Sequence, residues 1–371
     1  MLPVFPEVAP VKFLHNLGLY LHIPFCDRKC AYCDFYSLIG GEKLKDEYLS
    51  ALLVDIKLKG GQFDRPFDTV YIGGGTPSVL GGKIAVLLDT VKSSFNITAD
   101  AEITAEVNPD VSDEFLHFAS FSGVNRISVG IESGIDSELK TLGRTHTRQD
   151  AINAINRIKK HGFKNISADL MICLPNSNLG TLKENLDFFL SLQIPHISSY
   201  ILKIEPNTKF YKFTPPLPSE DEEAKQYLFM CEYLENHGYT HYEISNFALD
   251  GFSGKHNLKY WECKEYLGLG PSAHSFIDGK RFYYNRDIKE YIKNPNTVFD
   301  DFGGSTEEKI MLGLRLKKGI LLSDFISDDK IKSLEKLEKA GFININEKRI
   351  SLTDRGMLVS NAVIGEILEL L

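Results

Sequence analysis

The chain has 371 residues, of which 43% are hydrophobic and 25% charged, with 29 Gly, 15 Pro and six Cys. Roughly one to three domains fit that length, with a core large enough to need no disulfides, and the composition excludes collagen-like, disordered and disulfide-scaffold classes. A formal net charge of −8 argues against bulk attraction to nucleic acid or to an anionic membrane.

No segment reaches the roughly 20 consecutive apolar residues that span a bilayer. The opening MLPVFPEVAPVKFLHNL carries prolines and an acid where a secretory signal has a basic start and an apolar run. A cytoplasmic location is therefore expected, where clustered thiols more often bind metal or do chemistry than form disulfides.

After a short N-terminal arm (1–16), LGLYLHI (17–23) reads as a buried strand followed by a helix around DEYLSALLVDIKLK. TVYIGGG (69–75), AEITAEVN (101–108), RISVGIES (126–133), NISADLMICLP (165–175) and HISSYILKI (196–204) repeat the pattern, each followed by a helix candidate. We read these as continuous apolar runs rather than period-two alternation, which predicts strands covered on both faces. About six βα units in series imply a parallel sheet, doubly wound or curled into a full or partial barrel over 17–248. Beyond it, 249–304 is a connecting region in which GKHNLKYWECKEYLGLGPSAHSF has no clean period and reads as loop with short elements. From 305 to 371 two helices, a strand pair and a terminal helix suggest a small α+β, winged-helix-like module. Its eleven basic and eleven acidic residues give no electrostatic footprint for DNA, so a packing or docking role is expected.

Cys26, Cys30 and Cys33 follow the first strand directly, as C-DRK-C-AY-C. Three thiols so close must wrap one centre. Structural zinc normally takes four ligands, often as two separated pairs, and no partner pair follows at suitable distance. An iron–sulfur cube is normally held by four thiolates, so three would leave one iron open to a substrate or cofactor. Cys173, Cys231 and Cys263 read as packing residues.

In a parallel barrel, functional groups gather where strands end. GGGTPS (73–78) ends the second strand, where the glycines allow close backbone approach to a ligand, or simply a tight turn. Glu106 ends the third strand, Glu132 the fourth, Arg144 follows, and Asp169 lies inside the fifth. A buried carboxylate needs a partner, and a structural ion pair such as Arg144 with Asp169 competes with a binding role. Tyr20 is either core packing or a hydroxyl aimed at a cofactor.

The C-x3-C-x2-C spacing after a strand, with Tyr32 before the last cysteine, resembles the radical S-adenosylmethionine (SAM) enzymes. YLHIPFC, GGGTPS, EVNPD, LGRTH, DLM-x-x-LP and HNLKYW narrow the resemblance to the family of oxygen-independent coproporphyrinogen III oxidase and the related haem chaperones, over nearly the whole chain. The resemblance implies a partial (β/α)6 barrel, with a [4Fe–4S] cluster on Cys26, Cys30 and Cys33. It also implies SAM held by the positions of Tyr20, Tyr32, Gly74, Gly75, Thr76, Glu106, Glu132, Arg144 and Asp169. Relatives commonly carry Gln where Glu132 stands and Gly where Cys173 stands. The oxidase has a fourth cysteine where this chain has Phe35, and a longer arm than the 25 residues that precede Cys26. Both differences, and HNLKYW (256–261), point to the chaperone branch, in which His256 would ligate haem. The expected function is haem trafficking on a radical-SAM fold, delivering haem to haem-dependent proteins. The alternative is radical-SAM decarboxylation of coproporphyrinogen III. Haem and haem-accepting proteins are the implied partners, with no nucleic acid. The resemblance leaves room for peripheral contact with membrane-bound acceptors and for a homodimer. A role in RNA modification has no motif behind it and is disfavoured by the acidic balance.

Overall fold

A computed structural model describes residues 15–321, 328–346 and 349–369. The N-terminal arm expected over 1–16 therefore lies outside the described residues except for its last two. Six strands in chain order form the parallel centre of one sheet: β1 (Leu17–Ile23), β2 (Phe67–Gly74), β3 (Ile97–Val107), β4 (Arg126–Glu132), β5 (Asn165–Ile172) and β6 (His196–Ile201). Their order in space is their order in sequence, the arrangement of a singly wound barrel rather than a doubly wound sheet. Beyond β6 the sheet continues antiparallel through β8 (Asn246–Ala248) and β7 (Thr240–Glu243). On the other side β9 (Tyr266–Leu269) pairs parallel to β1, and β10 (His274–Ile277), β11 (Lys280–Tyr284) and β12 (Thr297–Phe302) form an antiparallel meander. The connecting region of 249–304, expected to hold loop with short elements, thus extends the sheet by four strands. Its Gly- and aromatic-rich texture hid elements only four to six residues long.

The strands are covered on both faces, but not by continuous apolar runs. Leu17, Leu19, Leu21 and Ile23 alternate with Gly18, Tyr20 and His22 on β1. Successive side chains point to opposite faces, so one set meets the helices and the other faces the barrel interior. Pairing aligns Gly18 with Thr69, Tyr20 with Tyr71 and His22 with Gly73, and Thr69 and Tyr71 in turn with Glu102 and Thr104. Further round, Glu106 faces Ser128, Ser128 faces Ser167, and Asp169 faces Ser198. The interior is therefore a stack of polar and aromatic layers, and the period-two pattern corrects our reading of continuous runs.

The outward set packs into one core with the covering helices, where Leu19, Leu52, Ile72, Leu87, Phe115 and Phe189 are fully buried. The C-terminal module is a small antiparallel sheet, in the order β13 (Ile320–Leu321), β15 (Arg349–Leu352), β14 (Ile343–Ile345), with the helices Asp328–Lys339, Asp354–Leu358 and Ser360–Glu369. Among the described residues, no helix is long and apolar enough to cross a membrane.

Candidate functional site

The cysteines lie on the loop after β1, at the C-terminal end of the strands. Its base is closed by Cys26 N–H to the Leu38 carbonyl (3.0 Å) and Leu38 N–H to the Pro24 carbonyl (2.8 Å), with Phe25 fully buried beneath. Ala31 fixes the middle, donating to the Leu142 carbonyl and accepting from Phe210 N–H, both at 3.0 Å. Arg286 donates to the Asp34 carbonyl at 2.8 Å. The loop is thus held at several points while all three thiols stay half-exposed.

Burial pushes the Cys33 thiol up, and the neighbouring Cys30 and Cys26 add to that, while the Lys29 ammonium opposes it. Among the described residues, the group of metal-ligating side chains whose ligand atoms all lie within 4.8 Å of one another is Cys231, His241 and Asp354. Cys26, Cys30 and Cys33 do not form such a set. The Cys231 group has its own explanation. Asp354 pairs with Lys317 and accepts from His241 Nδ1 at 3.0 Å, a hydrogen bond that ties the C-terminal module to β7.

The glycine turn after β2 sits directly against this loop. Gly75 N–H donates to the Ile23 carbonyl at 2.8 Å and Thr76 N–H to the Phe25 carbonyl at 2.7 Å. Gly74 has φ +108°, which side chains rarely tolerate, and a Cβ there would strike the His22 ring at 2.5 Å. Thr76 donates to Cys26 Sγ at 3.5 Å and accepts from Asn108 Nδ2 at 3.2 Å. Arg144 reaches Cys30 Sγ at 3.4 Å, Asn108 Oδ1 at 2.8 Å and the Gly130 carbonyl. Cationic and hydroxyl donors therefore already surround two of the three sulfurs, an arrangement that stabilises negative charge on a thiolate-bound centre.

Three carboxyls complete the rim. Glu106 accepts from Tyr71 Oη at 2.8 Å and from Gly74 N–H at 3.0 Å, and burial nevertheless holds its carboxyl above the usual range. Glu132, at φ +69°, is likewise raised by burial, opposed by Arg144 at 3.7 Å and by the Tyr32 hydroxyl. The buried ion pair is thus Arg144 with Glu132, not with Asp169. Asp169 is held well above the usual carboxylate range by removal from water and by the nearby Glu132 and Glu106. Three acids raised by burial, two of them also by a neighbouring carboxylate, would be relieved by a cationic ligand placed among them.

Tyr20, Tyr32, Gly74, Gly75, Thr76, Glu106, Glu132, Arg144 and Asp169 are thus gathered round one rim with the cysteines. The Tyr20 hydroxyl is bonded to His22 Nδ1 at 2.9 Å and keeps capacity to accept from a ligand. His22 Nε2 lies 2.9 Å from the Tyr36 carbonyl, which can only accept, so Nε2 carries a proton. Burial lowers its pKa to about 4.

Sequence reasoning passed over three residues. Asn108, two positions beyond Glu106, bridges Thr76 and Arg144. Tyr71 and His22 support the glycine turn from below. The period-two pattern would have pointed to all of them.

His256 is placed elsewhere. It sits on the helix Lys255–Trp261 at 1% exposure, with Nδ1 2.8 Å from Thr69 Oγ1 and Nε2 2.8 Å from Tyr260 Oη. Both ring nitrogens are engaged, so in this arrangement it offers no lone pair to haem iron. That departs from the ligand role expected of it.

A family model described as the radical SAM superfamily matches residues 20–189, and one described as the HemN C-terminal domain matches 306–359. The heme chaperone HemW of Lactococcus lactis is 36% identical over 94% of this chain and 96% of its own. That of Bacillus subtilis is 36% identical over 94% and 98%. The Escherichia coli protein of the same name is 40% identical over 72% of each chain. Among solved structures, coproporphyrinogen III oxidase (HemN) from Escherichia coli, a radical SAM enzyme, superposes with a TM-score of 0.82 at 22% identity. It covers 95% of this chain and 90% of its own, a likeness of fold. Spacing of the thiols, the glycine turn and similarity over nearly the whole chain agree: the chain belongs to the HemW heme chaperone family of the radical SAM superfamily.

Proposed function

We propose that this protein is a cytoplasmic haem chaperone that holds a [4Fe–4S] cluster on Cys26, Cys30 and Cys33, binds SAM at the open iron, and passes haem to haem-dependent proteins. The observation that carries this reading is 36% identity to a heme chaperone over 94% of the chain, in a sequence whose cysteine loop has Phe35 in place of a fourth cysteine. When bound, the cluster supplies an iron with a free position for the amino and carboxylate groups of SAM.

The chain's own residues do the rest. The glycine turn would let backbone approach the ligand, Thr76 and Arg144 donate to the sulfurs of Cys26 and Cys30, and Glu106, Glu132 and Asp169 would offset the positive charge of bound SAM. We propose that acceptors include membrane-bound haem proteins reached by peripheral contact. Porphyrinogen decarboxylation is the reading this one displaces.

The test is anaerobic reconstitution with SAM and reductant, followed by a haem titration, transfer to an apo-haem protein and a coproporphyrinogen assay. Haem uptake and transfer without protoporphyrinogen formation are expected. Turnover at enzymic rates would overturn the proposal.

A further inference from the structure

The motif HNLKYW is left without a role once His256 is found closed on both sides, yet it is among the most thoroughly bonded segments of the interior. Glu102 caps its helix, accepting from Lys255 N–H and His256 N–H, each at 3.1 Å. Lys259, 5% exposed, pairs with Asp68 at 2.6 Å and donates to the Asn16 carbonyl at 2.8 Å. Gly18 on β1 makes room for the helix, since a Cβ there would lie 3.0 Å from Lys259 Cδ and 3.2 Å from His256 Cε1.

Above the helix the interior layers form a column. The His256 ring stacks on Tyr71, with centroids 5.3 Å apart and planes at 29°. Tyr20 flanks Tyr71 on the other strand at 6.2 Å. The Tyr71 hydroxyl donates to Glu106 Oε1, and Glu106 Oε2 accepts from Gly74 N–H in the glycine turn. A carboxylate offers about four lone-pair sites, so Glu106 keeps capacity for a ligand after these two bonds. From the floor of the barrel to its rim each group bears on the next: Thr69 and Tyr260 on His256, His256 on Tyr71, Tyr71 on Glu106, Glu106 on Gly74.

We propose that His256 is a positioning residue for the SAM site, acting through Tyr71 and Glu106 on the glycine turn, and that the motif is the floor of that site rather than a haem ligand. This rests on the reading that the rim binds SAM. His256→Ala removes the surface against which Tyr71 lies, and Tyr71→Phe removes the single hydroxyl that fixes Glu106. Each should weaken SAM binding to the reconstituted full-length protein about ten- to hundredfold, the loss of one hydrogen bond to a charged group. Iron content and haem affinity should stay unchanged, and the double variant should be no worse than the weaker-binding single variant, because both break one chain.

The variant Thr69→Val/His256→Phe/Tyr260→Phe keeps a flat ring on Tyr71 and leaves no orphaned partner, so SAM affinity should return to within about twofold of wild type. The SAM-induced change in the electron paramagnetic resonance spectrum of the reduced cluster should fall with affinity and recover with it, a signature that loss of stability alone does not move. Should His256→Ala not accumulate folded, Tyr71→Phe carries the same prediction with the ring shape kept. Unchanged SAM affinity in Tyr71→Phe or His256→Ala, or haem binding lost while SAM binding stays, overturns the proposal. Wild-type protein with a full cluster that takes up no SAM overturns the reading beneath it as well.

Discussion

The rim of the barrel and its floor are built from the same six strands and opposite habits. At the floor, His256, Thr69, Glu102 and Lys259 are each matched to a partner in the protein. At the rim, thiols stay half-exposed, Glu132 and Cys173 adopt positive φ, and three carboxyls are held up by burial. The floor's polar groups thus find partners within the protein, whereas the rim holds half-exposed thiols and buried acids whose charge the protein only partly offsets. Two segments that both look like binding signatures in sequence thus do different physical work.

The sharpest break of the comparison is at the rim. Cys30→Ala should abolish the brown chromophore of the reconstituted cluster, leaving no full cube by iron and sulfide analysis, while the unreconstituted protein keeps its fold. A variant that still assembles a complete cluster would mean that the loop is not the ligand set.

Next comes the buried ion pair. Arg144 and Glu132 are each 9% exposed at the side chain, and Arg144→Met leaves the acid and Asn108 without their partner. Removing one member of a buried pair costs about 3–5 kcal/mol, to be read as a lower denaturant midpoint of the cluster-free protein. A change within experimental error would show that the rim does not depend on this pair.

The floor should respond to pH instead. Burial lowers His256 from 6.5 to about 3. A depressed histidine contributes stability that is present above its unfolded pKa and is lost as pH falls, because the unfolded chain then binds the extra proton. The stability difference between wild type and His256→Gln should therefore be greatest above about pH 6.5 and shrink steadily toward pH 3. A difference independent of pH would place the ring in water.

The smallest effect is expected at Cys173, where the residue is fully buried at φ +59°. Cys173→Gly relieves about 1–2 kcal/mol of left-handed strain while giving up a similar amount of burial. Stability should therefore change by no more than about 1 kcal/mol in urea melts, and a loss above about 3 kcal/mol would assign the thiol a further role.

Much of this was legible in the sequence. The six strands start and end close to their expected limits, because each apolar set is bounded by turn residues. The rim residues follow from their places at strand ends. What misled was reading AEITAEV and RISVGIE as continuous runs. Their alternate residues Glu102, Thr104 and Glu106, and Arg126, Ser128 and Glu132, are the interior face itself, and a polar interior is what a cofactor-binding barrel presents. The role of HNLKYW was not legible, because a buried histidine with two side-chain partners and one with an open nitrogen have the same sequence. The contacts of the ring with Thr69, which the fold brings from β2, and with Tyr260 decide between them.

The central claim, that the open rim holds a cluster with SAM on its free iron, is tested most directly by electron–nuclear double resonance of the reduced, reconstituted protein with SAM labelled with 15N in its amino group. The account predicts a nitrogen hyperfine coupling that changes with the label and is absent from Cys30→Ala. Spectra identical for labelled and unlabelled SAM, in protein with a full cluster and saturating SAM, would contradict it.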